Sequence, residues 1–154
     1  MKNPFIREIR TWIDIEASAE DVWSILVDFD AYPQWTDLFR FPVGHTDTGE
    51  RLEVRIWSGR SKYMTFRPLL LVAREPEEFR WKGRLLFRGL FDGEHMFRID
   101  ETSEIAVRFE HAEIFTGFLV PWLWRDLDTN TRAGFERFNR DLKARAEKRA
   151  RHAD

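Results

Sequence analysis

Two histidines and a glutamate, His95, His111 and Glu113, interrupt two adjacent stretches that otherwise alternate as apolar strands. Across Gly89–Glu101 a period of two puts Phe91, Gly93, His95, Phe97 and Ile99 on one face, opposite Asp92, Glu94, Met96, Arg98 and Asp100. Across Glu104–Phe115 the same period gathers Ile105, Val107, Phe109, His111, Glu113 and Phe115. A half-buried antiparallel pair covers such faces, and polar groups placed there cost free energy unless they find partners. In an apolar pocket these three residues can anchor a ligand carbonyl, hydroxyl or carboxylate. One histidine, tuned by Glu113, can also act as a general acid or base. The plainer use is a closed structural network, with the His–Glu group hydrogen-bonded to a Trp or Asn on a neighbouring helix. Two histidines and a carboxylate can bind a metal facially, but the spacing matches no recognised ligand pattern, so neither metal nor cofactor is expected. A turn near Glu101–Glu104 predicts Phe97 opposite Val107 and His95 opposite Phe109, with the histidines as diagonal neighbours on one face.

The elements that must position these residues follow from periodicity and turn chemistry. Ile6–Glu16 reads as a first strand of imperfect alternation, with Ile9, Trp12 and Ile15 among its apolar residues. Ser18 then offers a helix N-cap with Glu20 and Asp21 in the first turn. Val22, Trp23, Ile25, Leu26 and Phe29 recur at helical spacing, and Pro33 breaks the helix into a second short one. Strands are expected at Phe39–Thr46, Arg51–Trp57, Lys62–Arg74 and Glu78–Leu85 before the two that carry the histidines. Pro68 marks an edge or a bulge. A long helix from Pro121 to about Arg149 carries Val120, Leu123, Leu127, Thr131, Gly134, Phe135, Phe138 and Leu142 on one stripe. Its middle is small and polar, which makes Asn130, Thr131 and Gly134 candidate lining of a cavity. Gly134 either leaves volume for a ligand or accommodates a large aromatic such as Trp81. The expected class is α+β: a curved antiparallel sheet of about seven strands wrapped around the long C-terminal helix, with two short helices after the first strand.

Composition bounds what such a fold can do. The chain has 154 residues, 43 % hydrophobic and 15 % aromatic, with seven Trp and fourteen Phe. That suits one domain over residues 1–154, with the basic last eight or so residues frayed. A net charge of −2 gives no overall pull toward nucleic acid. The absence of cysteine excludes disulfides and a thiolate nucleophile. No apolar signal core or membrane-length run is present, so a cytoplasmic protein without stable membrane insertion is expected. Trp35 lies in an aromatic segment, Tyr32 to Phe41, that reads as a lid over a pocket mouth or as a small satellite core. Trp122 and Trp124 read as an outward patch or as cover for the sheet's end.

This order, with DVWSILVDFDAYPQW (Asp21–Trp35) after the first strand, GLFDGEH (Gly89–His95) and FTGFLVP (Phe115–Pro121), resembles the START-like or SRPBCC superfamily. The resemblance runs from about Phe5 to Ala146. It implies a helix-grip fold with an internal pocket for a hydrophobic or amphipathic small molecule. Trp35, Trp81, His95, Phe97, Phe109, His111, Glu113, Asn130, Thr131 and Gly134 are the candidate lining. Members of the superfamily include lipid carriers, quinone-binding proteins, polyketide aromatase/cyclases and co-chaperone domains, so fold kinship does not select the activity. Binding of a lipid, polyketide or quinone is the leading expectation. A cyclase, dehydratase or hydrolase using His95 or His111 with Glu113 is the alternative, and a co-chaperone or stress-response module is the third.

Overall fold

The computed structural model describes residues 1–153. In chain order it has strand β1 (Ile6–Ile15), helix α1 (Ala19–Val27), a 3₁₀ turn (Phe29–Gln34), and strands β2 (Phe39–Val43), β3 (Glu53–Trp57), β4 (Tyr63–Phe66) and β5 (Leu69–Arg74). There follow β6 (Glu78–Arg84), β7 (Asp92–Ser103), β8 (Ala106–Thr116), helix α2 (Val120–Asp126), a π-helical turn (Leu127–Thr131) and helix α3 (Arg132–His152). The strands form two antiparallel sheets, in the orders β1-β8-β7-β6-β5 and β2-β3-β4. Eight strands replace the expected seven because Arg67-Pro68 splits the long run from Lys62, and proline cannot supply a ladder donor. The sheets are joined there: Arg51 bridges Leu69, Leu52 N–H donates to the Pro68 carbonyl and Leu70 N–H to that of Glu50.

Local chemistry sets the elements. Ser18 caps α1 by accepting from the Asp21 amide, as its position foretells. The Tyr32 hydroxyl, fully buried, donates to the Leu26 carbonyl and so fastens the 3₁₀ turn back onto α1. In β1 the odd residues face inward: Ile9, Thr11 and Ile15 are buried, with Ile13 half-buried. Trp12 faces out beneath the Arg108 guanidinium, 3.9 Å from its ring centroid, so the alternation is regular once the tryptophan is discounted.

Helix α3 lies against β1, β8 and α1, and one contiguous set of buried side chains runs between it and the larger sheet. It continues regularly to His152, with Ala146 buried and Ala150 packed on the core. The single long helix of the sequence reading is interrupted. The π-helical turn falls on its polar middle, and an inserted residue of this kind rotates the preceding face relative to the following one.

Candidate functional site

The β7–β8 hairpin turns later than the sequence suggested. Ser103 faces Ala106 across the turn, so Phe97 stands opposite His111 and His95 opposite Glu113. The expected pairing with Val107 and Phe109 is therefore four residues out of register. The parity is unchanged, so His95, Phe97, His111 and Glu113 still share the inner face and the histidines are still diagonal neighbours.

These side chains form one continuous hydrogen-bonded chain. Glu113 Oε2 lies 3.3 Å from His95 Nδ1. His95 Nε2 lies 2.8 Å from His111 Nε2, and His111 Nδ1 lies 3.0 Å from Asn139 Oδ1 on α3. Asn139 Nδ2 donates to Thr11 Oγ1 at 2.9 Å, and Thr11 Oγ1 donates to the His111 main-chain carbonyl at 2.8 Å. Thr11, His95, His111 and Asn139 are all buried.

The direction of the chain follows from its last acceptor, a carbonyl that cannot donate. Thr11 uses its only proton there, so its oxygen accepts from the Asn139 amide. The Asn139 oxygen then faces His111 Nδ1, which must carry a proton. With His111 neutral, its Nε2 is bare and accepts from the His95 Nε2–H. His95 Nδ1 is bare in turn, and Glu113 bonds to it as a protonated carboxyl. Every bond is satisfied with both imidazoles neutral and Glu113 un-ionised. An imidazolium–carboxylate pair of His95 and Glu113 would satisfy the same bonds but would place two charges in apolar surroundings.

Electrostatics agrees. Desolvation lowers His95 to about 3. Desolvation and then the neighbouring His95 hold His111 well below the usual histidine range, against smaller upward pulls from Asn139 and a main-chain hydrogen bond with Phe135. Desolvation pushes Glu113 up to about 8. Its side chain nevertheless keeps 16 % of its area exposed, which moderates that push and leaves the carboxyl a route to solvent.

Aromatic rings fill the space around the histidines. His95 stacks on Trp81 with centroids 4.4 Å apart, and His111 on Phe135 at 3.8 Å. Phe39 meets both histidines edge-on or tilted, at 5.3 and 6.1 Å, and Phe97 stacks on Phe138. The segment from Tyr32 to Phe41 is thus neither lid nor satellite, because Tyr32, Phe39 and Phe41 belong to the main core. Such surroundings favour neutral imidazoles.

The other expected lining residues divide. Trp81, Phe97 and Phe109 are buried about the chain. Gly134 is buried too, but its missing side chain makes room for the Leu38 methyl, 3.3 Å from where a Cβ would stand, rather than for Trp81. Trp35 is half-buried between Tyr32 and Phe138, with an indole N–H that has no partner. Thr131 is half-buried. Asn130 is the clear departure: it is exposed and donates to Asp126, because the π-helical turn carries it off the inner stripe. Thr11 and Asn139 were not anticipated by number, and Phe135 was placed on the inward stripe of the helix but not among the site residues. Their signals were present, since Thr11 keeps the parity of Ile9 and Ile15, and Asn139 lies four residues after Phe135.

At the Glu113 end two paired positions of the sheet carry no side chain. Gly93 pairs with Gly83 on β6, and a Cβ on residue 93 would stand 2.4 Å from Glu113 Oε1. Two open grooves of about 560 and 430 Å³ lie elsewhere, around the end of α1, and no expected site residue lines them. Among the described residues no cluster of three or more His, Cys, Asp or Glu side chains could hold a metal ion, and no helix is long and apolar enough to cross a membrane.

No protein-family model and no curated protein sequence matches the chain. Solved structures do match its architecture. A START superfamily protein from Mycobacterium smegmatis superposes with a TM-score of 0.70 at 18 % identity, over 92 % of this chain and 97 % of that one. The Zhui aromatase/cyclase from Streptomyces sp. R1128 gives 0.75 at 16 % identity, over 96 % and 98 %. The di-domain aromatase/cyclase StfQ of the steffimycin biosynthetic pathway gives 0.77 at 15 % identity, over 96 % of this chain and 53 % of that one, so this chain spans about half its length. The fold is therefore the START-like helix grip: a curved antiparallel sheet closed around a long C-terminal helix.

Proposed function

We propose that the protein binds a hydrophobic or amphipathic small molecule of the lipid, polyketide or quinone kind, and that Glu113 is its polar anchor. One observation carries this reading: the buried chain of hydrogen bonds ends on Glu113, a partly exposed carboxyl whose free oxygen has no partner in the chain and which desolvation pushes up to about 8. With its single proton turned toward His95, Glu113 presents its other oxygen as an acceptor for a ligand hydroxyl, and a ligand of apolar body and single donor suits its surroundings. His95 and His111 then hold Glu113 in place and keep it protonated, rather than touching ligand themselves. Native mass spectrometry of freshly purified protein tests the proposal, with a co-purifying apolar molecule as the expected result. Failure to co-purify or to take up any added fatty acid, quinone or aromatic polyketide would overturn it.

A second reading is favoured by the same carboxyl. Glu113 has a proton, a solvent route and a histidine behind it, as general-acid catalysis of a cyclisation, dehydration or hydrolysis requires. Both StfQ and Zhui, which share the fold, are aromatase/cyclases, which makes such substrates the first to try. Glu113→Gln separates the two readings. Its amide keeps a donor toward His95 but carries no acid, so binding survives in both cases and turnover is lost only in an enzyme.

A further inference from the structure

Three segments remote in sequence meet at one end of the molecule: Met1–Arg7, Arg84–Phe91 and Thr116–Arg125. The main chain ties them together. Gly117 N–H donates to the Phe5 carbonyl, Phe118 N–H to Gly89 and Leu119 N–H to Leu90, each at 3.0 Å. The Phe5 and Phe118 rings pack edge to face at 5.8 Å. Gly117 permits this approach, since its φ is +131° and a Cβ there would lie 2.5 Å from the Leu90 carbonyl oxygen.

What this end displays is unusual for a surface. Among the described residues, eight of the twelve exposed large hydrophobic side chains belong to these three segments. Leu86, Phe118 and Trp122 are 84 %, 71 % and 83 % exposed, with Phe5, Phe87 and Leu123 beside them in the same segments. Leu86 is held at φ +63°, a conformation a bulky residue adopts only under constraint, and the outcome is an apolar side chain turned to solvent.

Charge indicates what this surface meets. The three segments contain Lys2, Arg7, Arg84, Arg88 and Arg125, and none of the chain's 27 acids, although the whole protein carries a net −2. The bordering acids are otherwise engaged: Glu8 pairs with Arg10, Asp92 is buried, and Asp126 accepts from Asn130. Exposed aromatic and aliphatic side chains within an acid-free basic rim match the interface of an anionic bilayer, where rings lie at headgroup depth and arginines meet phosphate.

We propose that this end of the protein is a peripheral docking face for anionic membrane surfaces. It lies beyond Glu113 along β8. The face stands on its own observations and does not require the ligand reading to hold.

The test is sedimentation of the full chain with vesicles of pure phosphatidylcholine and of phosphatidylcholine containing phosphatidylglycerol. Binding is expected only to the anionic vesicles. Arg88→Gln with Arg125→Gln should weaken it about 25-fold, from about fivefold for each cation near a charged surface. Leu86→Ser with Trp122→Ser should abolish it while leaving circular dichroism unchanged, because both side chains are outside the core. Three results overturn the proposal. Vesicle binding may be absent, or indifferent to charge, or insensitive to both double variants, which would point to the basic end of α3 instead. Concentration-dependent dimerisation lost in the Leu86/Trp122 variant, without vesicle binding, would assign the face to a second copy of the chain.

Discussion

The centre and the open end of one hydrogen-bonded chain use similar groups for different ends. At the centre, His95 and His111 are sealed between Trp81, Phe135 and Phe39, and every donor has its acceptor. At the end, Glu113 meets His95 through one oxygen, while its other oxygen lies over Gly93 and part of its side chain is exposed. Histidine in a core is thus compatible with plain structure when it is neutral and fully paired. The functional candidate is the group where the pairing runs out.

The largest effect should come from breaking the centre. His111→Ala removes a stacked ring and strands the Asn139 oxygen and His95 Nε2–H, and cavity and unpaired-group costs together come to about 3–5 kcal/mol in urea denaturation. A loss below about 1 kcal/mol would mean that the chain of bonds is not what holds β8 to α3.

Next in size is a pH dependence whose sign distinguishes the two regions. His95 is lowered from 6.5 to about 3 and His111 moves the same way, so their contribution is lost as pH falls below 6.5. Glu113 is raised from 4.5 to about 8, so the folded state holds its proton where the unfolded state has released it. That contribution is complete below 4.5 and is lost as pH rises through 8. Between 4.5 and 6.5 two histidines outweigh one carboxyl, and above 6.5 only the carboxyl acts, which places maximum stability near pH 6.5. From there to pH 8 the wild type should lose up to about 1.4 kcal/mol per pH unit, and Glu113→Gln should not. Parallel urea-denaturation curves for the two proteins across that range would show that Glu113 is ionised in the native state.

A smaller effect probes the open end alone. Gly93→Ala places a methyl against Glu113 Oε1 and turns the carboxyl off His95. Occupancy by a co-purifying ligand should fall about tenfold, while stability drops by about 1 kcal/mol for the acceptor left unmet on His95. If ligand occupancy is untouched, Glu113 is not the anchor.

The sequence disclosed the inner face of the hairpin because parity survives an error in register. A turn two residues later slides His95 from Phe109 to Glu113 yet leaves both histidines inside. It disclosed the closing helix by its stripe of Phe135, Phe138 and Leu142. It could not disclose which strand faces Asn139, since the pairing of β1 with β8 joins residues about a hundred positions apart, and Thr11 looks like any strand threonine. Nor could hydrophobic spacing reveal the π-helical turn, because the polar residues that suggest a cavity roof also suit a helix face turned to solvent. The amide acceptor foreseen for the network was real, but its identity required three dimensions.

The smallest expected effect falls on that ambiguity. Asn130 and Asn139 stand nine positions apart on one helical run, and spacing alone favoured Asn130 as the inward residue. The π-helical turn leaves Asn130 exposed with only Asp126 as partner, whereas Asn139 is buried between His111 and Thr11. Asn130→Ala should therefore change stability by less than about 0.5 kcal/mol, as surface substitutions do, and leave ligand occupancy as it was. Asn139→Ala takes the Asn139 acceptor from His111 Nδ1–H and the donor from Thr11 Oγ1, and so should cost more. A comparable loss from Asn130→Ala would mean that the helix runs through without its π-helical turn and that the polar middle faces the interior.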